Sequence, residues 1–580
     1  MNNATIKDTT IPTDRLVNFK FDSLRDWHAY LLISMAGVVL YAKTVMFLFT
    51  YCDDTQLIVV NSEFLSHLSN LPKLFTQDVF ISIPNPFLYL RPMLNISFML
   101  DAQIGGDAPG FYHFTNIVLH VACSLLVFVL FKKLHSQRLV ATCAALIFSV
   151  HPLLTYAVAW IPGRNDSLFT LFVLGSFIFM LRLLERRRTI DYVFHFLLLG
   201  LALLTKETAV MLTVMVLLYF LIVRKEIADK KLLVRVLVGW TLMIILWLYM
   251  RSTVVQSFIV NTTIKDSLSS WISRSPALIL YFGKVMFPFN LSVFPNLQDN
   301  GLWWGVSALV VFALLVLKAG EKNYRMIVWG MLWFFLFLAP SIIAGDFLPE
   351  HRAYCSLVGF LIAFYEIPFL KNLPWQKRNV LVLFSAAIFT FGAIAYSHSE
   401  NFRDRRSFCI NMNEKSPSVD ESCSGMAGML IDQGDYQAAE KVIMKGIARK
   451  QNMKVVHRML GDIYAKKGDQ SKAEMEYTAS LDIEPLHLLT YVNYGNLCLS
   501  EERLDDAERL WKMTVAIDPD FIRGYYLLAN FFLRQRDDPT TATYYVHEIE
   551  RRGVPVMPEL ISDITSHPKY RVENNGSSKR

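Results

Sequence analysis

Cysteine is scarce: 580 residues hold 7, with no CxxC pair and no Cys/His spacing that suits zinc or an iron–sulfur cluster. Metal-finger and cysteine-pair redox modules are therefore excluded. Cys123 and Cys143 fall within apolar runs and read as packing residues, while Cys409 and Cys423 could pair on an oxidising face. Charge is sparse too, 18% against 53% hydrophobic residues, and the mean hydropathy is +0.34. A soluble domain rarely reaches that, and a disordered chain never does. The 57 Lys and Arg exceed the 50 Asp and Glu, for a net charge of +7, but the excess is spread over short loops. It reads as membrane orientation, not nucleic-acid binding. The N-terminus, with Asp8 in polar surroundings, lacks the basic-then-apolar form of a signal peptide, so the first span is expected to act as its own uncleaved signal.

What is present is a series of apolar runs near 29–50, 111–131, 139–160, 166–184, 192–205, 207–223, 233–250, 302–317, 326–344, 354–370 and 379–397. Most approach the roughly 20 residues needed to cross a bilayer. The pair 192–205 and 207–223 is shorter and turns at Lys206-Glu207, an arrangement suited to lining a site at the membrane surface. Segment 276–296 carries Lys284 and three prolines, poor choices for a lipid-exposed helix. Basic clusters at 132–138, 182–188, 224–235, 318–325 and 371–378 fall on one side only if that segment does not cross. The expected fold is therefore all-α: a polytopic bundle of about eleven spans over 29–398, after a cytoplasmic N-terminus 1–28.

A different period begins beyond a linker at 399–419. Gly434 and Gly468 stand 34 residues apart, as do Gly461 and Gly495, Pro485 and Pro519, and Ala439, Ala473 and Ala507 in succession. This is the tetratricopeptide period, in which small residues let two helices of a hairpin approach closely. Four repeats are expected over 420–556, at 420–453, 454–487, 488–521 and a weaker 522–555, with a tail at 557–580. Such arrays bind peptides or proteins.

Charged residues recur at the outer ends of the spans. The long outside loop 52–110 opens on Asp53-Asp54, and paired acids at a membrane boundary can hold a proton or accept one from a substrate hydroxyl. They are equally compatible with a solvated helix end. Stretches 62–65 and 74–80 look amphipathic enough to lie on the membrane, and Arg91 stands stiffly beside Pro92. Three outside connections combine a cation with a carboxylate: Arg164-Asn165-Asp166, Lys206-Glu207, and Asp346 with Glu350-His351-Arg352-Ala353-Tyr354. Arg and Lys on one outer surface suit a phosphate whose lipid tail lies in the bilayer. His113, Asn116 and His120 share one face of the second span and point into the bundle, for interhelical bonding or for substrate. Lys43, inside the first span, reads as half of an ion pair.

The order Asp53-Asp54, Arg91-Pro92, Gly110-Phe111-Tyr112-His113, His151-Pro152, Gly163-Arg164, Lys206-Glu207, Glu350-His351-Arg352-Ala353-Tyr354 and then the repeats resembles the transmembrane and tetratricopeptide-repeat O-mannosyltransferase family. That resemblance implies a GT-C fold and a polyprenyl-phosphate-linked sugar as donor. It also implies Asp53 or Asp54 as general base, with inversion at the sugar, and Arg91, Arg164, Lys206 and Arg352 on the leaving phosphate. His113, Asn116, Glu207, Glu350, His351 and Tyr354 would complete the pocket. The acceptor would be a hydroxyl of a protein or peptide presented by the repeats. No metal is assigned, although two carboxylates could hold a divalent cation bridging to phosphate. The modest length points to a bacterial inner membrane with its site facing the periplasm; in a eukaryotic cell the same orientation faces the endoplasmic reticulum lumen. Two departures leave sugar and acceptor open: the array is short, and the acid pair is Asp-Asp where protein mannosyltransferases more broadly have Asp-Glu. Against an oligosaccharide ligase stands the shortness of the late loop, 344–353, beside the early one. Against a bare repeat scaffold stands the number of spans, since an anchor needs one.

Overall fold

The computed structural model describes residues 25–50, 52–81, 89–135, 137–224, 230–255, 264–318, 321–342, 348–375, 377–448, 454–554 and 556–570. Asp8, Asp346 and most of the expected cytoplasmic N-terminus lie outside these residues. No β-strand occurs among them, and the chain divides into two compact units at Asn411/Met412. The helix Arg405–Lys415 occupies much of the expected linker.

Each of the eleven apolar runs is helical in the first unit. Six helices are long and apolar enough to cross a bilayer: Asp26–Met46, Pro109–His135, Ile161–Arg186, Glu207–Arg224, Lys230–Val254 and Arg378–Phe402. Arg138–Val150 and Pro152–Ala159 make a seventh if taken as one span bent by 49°, the break falling where Pro152 cannot continue the preceding helix. Thr189–Leu203, Trp303–Val316 and Tyr324–Pro340 are shorter apolar helices, and Tyr354–Tyr365 is a short one in the buried centre. The protein is an integral membrane protein. Pro276–Met286 has 11 residues, a rise of about 16 Å and roughly half a bilayer core. Small residues permit the tightest crossings. A Cβ on Gly359 would lie 2.5 Å from the Gly330 carbonyl oxygen, so these two helices touch backbone to backbone.

Charge marks the two ends of the bundle. At one end Asp26 pairs with Arg138 (2.7 Å) and Lys132, Lys133 with Glu185 (2.5 Å), and Glu366 with Lys371 (2.6 Å). About 20 residues back along the Pro109–His135 helix, Tyr112 belongs to the other end, ~30 Å away, the thickness of a bilayer core. Near that end, Lys43 reaches Glu400 at 2.6 Å, the ion pair expected of it.

The loop 52–110 is more structured than its sequence suggests. It holds a 14-residue helix, Pro92–Gly105, with Pro92 in the first turn where its missing N–H is harmless. Leu65 and Leu74, expected to face lipid, are instead buried with Leu57, Ile58, Phe98 and Tyr112 in a small core of their own. Val59, Val60 and Leu68 remain exposed.

The second unit is a set of helical hairpins: Asp420–Asp432 with Tyr436–Ile447, Lys454–Lys467 with Gln470–Ile483, Leu488–Ser500 with Leu504–Ile517, and Ile522–Arg534 with Pro539–Arg551. Each turns at a residue of positive φ: Gly434 (77°), Gly468 (79°), Glu502 (61°) and Asp537 (54°). The aspartates that follow three of these turns cap the next helix, as Asp435 does by accepting from Ala438 N at 2.9 Å. Gly461 lies so close to Tyr477 that a Cβ would stand 2.5 Å from its ring. The expected tail contributes one more helix, Pro558–Ser566, whose Leu560 and Ile564 join the core of the final repeats.

Candidate functional site

The acid pair opens a short helix, Asp53–Leu57, preceded by Cys52 at φ 62°, ψ −119°, a conformation that side-chain-bearing residues rarely adopt. The two acids are adjacent but differ. Asp54 is buried, and its Oδ2 accepts from the Thr50 N–H and the Thr50 hydroxyl, each at 2.6 Å. Burial pushes its pKa up to about 7 against those bonds, and the charge of Asp53 adds to the rise. Asp53 keeps solvent access. Burial raises its pKa to about 6, and the nearby Arg91 restrains the rise.

Arg91 is held by its own loop. Asp78 accepts from the N–H groups of Phe80 and Tyr89, both at 2.9 Å, and the Tyr89 ring lies 4.2 Å from the Arg91 guanidinium. Arg91 then grips Glu207 through Nε (3.3 Å) and Nη2 (2.8 Å). Lys206, presented by the turn after Thr189–Leu203, donates to Asp166 at 2.7 Å, and His351 Nε2 stands 3.8 Å from the other Asp166 oxygen. Burial lowers the Lys206 pKa while Asp166 opposes that, and Arg91 and Arg352 lie within electrostatic reach. The same cations surround His351. Burial first, then Lys206, Arg352 and Arg91, drive its pKa well below the usual value, so its ring stays neutral.

Asp53, Arg91, Asp166, Lys206, Glu207, His351 and Arg352 thus gather in one chamber. Other expected residues are held by partners of their own. Arg164 is wholly buried: it pairs with Asp101 (2.5 Å) and donates to Asn116 Oδ1 (2.7 Å) and the Tyr112 carbonyl (2.6 Å). Asn116 in turn donates to the Val158 and Trp160 carbonyls, so it clamps the second span to segment 158–161. Tyr354 is hydrogen-bonded to His120 at 2.6 Å in the bundle interior. Glu350 accepts from Lys284 (2.6 Å) and the Ser292 N–H (3.1 Å). His113 is buried against Phe47, within electrostatic reach of Arg164.

Sequence reasoning missed three members. Asp166 was visible only as a corner charge, although it holds Lys206. Tyr156 and Trp160, four apart in an apolar run, carry no local signal that sets them apart from their neighbours. In fact the Tyr156 ring lies 4.7 Å from His351 and 5.1 Å from Trp160, and its hydroxyl is within electrostatic reach of Asp53 and Arg352.

Among the described residues, no three His, Cys, Asp or Glu side chains are grouped to hold a metal. Cys409 and Cys423 are both buried, and the Cys423 thiol donates to the Val442 carbonyl at 3.3 Å. A separate apolar cavity of about 420 Å³, lined by Val140, Cys143, His151, Phe360 and Phe391 among others, contains none of the chamber residues.

Fold and site together define a class: a polytopic all-α membrane protein with an acid–base chamber at one end of its bundle and helical-hairpin repeats at its C-terminus. Residues 92–250 match the family described as Dolichyl-phosphate-mannose-protein mannosyltransferase. Protein O-mannosyl-transferase TMTC3 of Homo sapiens is 21% identical over 570 residues, 86% of this chain and 61% of that protein. Protein O-mannosyl-transferase TMTC2 of Mus musculus is 34% identical over 151 residues, 26% of this chain and 18% of its own. Protein O-mannosyl-transferase Tmtc1 of Drosophila melanogaster is 32% identical over 181 residues, 30% and 21% respectively. The resemblance to the transmembrane and tetratricopeptide-repeat O-mannosyltransferases therefore extends over most of this chain, which spans about three fifths of its first two such relatives.

Proposed function

We propose that this protein is a GT-C-type glycosyltransferase that moves a hexose, mannose by the names of its relatives, from a polyprenyl-phosphate donor to hydroxyl groups of a protein acceptor. The work is done on the non-cytoplasmic face of its membrane, periplasmic or lumenal. The observation that carries the reading is Asp53: a partly exposed carboxylate within electrostatic reach of Arg91, which in turn lies within reach of Lys206.

A base and a set of phosphate-binding cations are what the reaction needs. The acceptor oxygen attacks the anomeric carbon while Asp53 takes its proton. The bond from that carbon to the phosphate oxygen breaks on the opposite face, so configuration inverts and polyprenyl phosphate departs. Arg91, Lys206 and Arg352 receive its charge. Arg91 has five N–H donors, and Glu207 engages it through two nitrogens, so the pair fixes the guanidinium while leaving donors for phosphate. Lys206 is held in the same way by Asp166. Asp54 positions the turn through Thr50. Arg164 shapes the chamber without touching the donor. The repeats present the acceptor polypeptide.

The test is glycoproteomic. Mass spectrometry of envelope or lumenal proteins from cells with and without this gene should show a single hexose lost from Ser or Thr of specific proteins. Identical glycopeptides in both would refute the reading.

A further inference from the structure

Glycosyl transfer as proposed leaves the wall that holds the sugar unassigned. Tyr156 and Trp160 come from the Thr155–Ala159 helix and its end, and His351 from the Glu350–Ala353 turn. Their rings form one cluster: Tyr156 to His351 4.7 Å, Tyr156 to Trp160 5.1 Å, Trp160 to His351 5.9 Å. Each ring carries a buried polar atom with no hydrogen-bond partner among the described residues: Tyr156 Oη, Trp160 Nε1 and His351 Nδ1. Asp166 Oδ2, 3.8 Å from His351 Nε2, is a fourth.

Buried polar atoms are nearly always bonded, so four orphans around one aromatic cluster call for a partner from outside the protein. That partner must offer several donors and acceptors together with an apolar face. A pyranose does both: its C–H face packs on aromatic rings, and its hydroxyls bond at the edges. The location fits as well. The Tyr156 hydroxyl is within electrostatic reach of Asp53 on one hand and Arg352 on the other, and His351 is within reach of Lys206 and Arg91. The cluster therefore spans the interval between the proton acceptor and the phosphate-binding cations, where the sugar ring has to lie during transfer.

Resting on the transfer reading, we propose that Tyr156, Trp160 and His351, with Asp166 Oδ2, form the sugar subsite and set which hexose is accepted. They are positioning and specificity residues; Asp53 remains the base.

Two ligands separate this from a packing role: polyprenyl-phosphate mannose, and polyprenyl phosphate, which lacks the sugar. Binding of each to the full-length protein in detergent is measured for wild type, Tyr156→Phe and Trp160→Phe, with mannose transfer assayed in parallel. Losing one hydrogen bond should weaken the sugar-bearing ligand about 3- to 10-fold and leave polyprenyl phosphate unchanged. The unliganded Tyr156→Phe protein should melt no lower than wild type, because the hydroxyl it loses has no partner in the protein. If wild type transfers mannose but the variants bind both ligands as it does, or weaken both equally, the subsite is overturned and the transfer reading stands. If wild type neither binds the donor nor transfers mannose, both fall.

Discussion

Asp53 and Asp54 are neighbours with unlike surroundings, and that difference assigns their roles. Asp54 is locked to Thr50, whereas Asp53 is only partly buried and has Arg91 within electrostatic reach. Ionised Asp53 is the base, so kcat/KM should rise with pH and level off above about 6. Arg91→Met removes the charge that holds that pKa down, so the midpoint should move to higher pH; an unmoved midpoint contradicts the assignment. Stability runs the other way. Both folded pKa values exceed the ordinary aspartate value of 3.8, so ionisation penalises the folded state above pH 7, and the penalty fades as pH falls through about 7 and about 6. Asp53→Asn should therefore melt higher than wild type at pH 8, the two converging near pH 4. The charges themselves were legible in the sequence. Which acid faces the chamber was not, because it depends on the backbone at Cys52 and on Thr50.

At the scale of elements, apolar runs and the 34-residue period could be read directly, since helix length and repeat spacing are local properties. Long-range partners could not. The family resemblance implied Arg164 as a phosphate ligand, while its structural partner, Asp101, sits on a helix inside what read as a loop. The structural assignment makes a prediction. Arg164→Met leaves Asp101 buried without its cation and should cost ~3 kcal/mol or more, seen as a lowered melting temperature and poor yield. Arg91→Met, half-buried and beside solvent, should fold and lose donor affinity. The reverse pattern would return Arg164 to the phosphate site. In the repeats, Glu502 occupies a turn position that earlier hairpins give to glycine, at φ 61°. Glu502→Gly should raise stability by about 0.5–1 kcal/mol in a denaturant titration of the full chain; a loss would mean the turn relies on the glutamate side chain.

Taken whole, the molecule carries charge in two layers at the ends of an apolar bundle. One layer is a ring of ion pairs around Asp26 and Glu366, and the other contains the chamber. Positive-inside counting assigned residues to these layers from sequence, because each cluster lies within a few residues of a span end. The aromatic wall escaped notice: Tyr156 and Trp160 reveal their orphan polar atoms only when the distant His351 is folded against them. The central claim, that Asp53 drives sugar transfer, meets its most direct test in a purified system. The full-length protein is given polyprenyl-phosphate [³H]mannose and a Ser/Thr-containing protein acceptor, alongside Asp53→Asn. Wild type should label the acceptor, and the variant, folded and binding the donor, should fall by ~10²–10⁴-fold. Equal labelling by the two proteins would contradict the account.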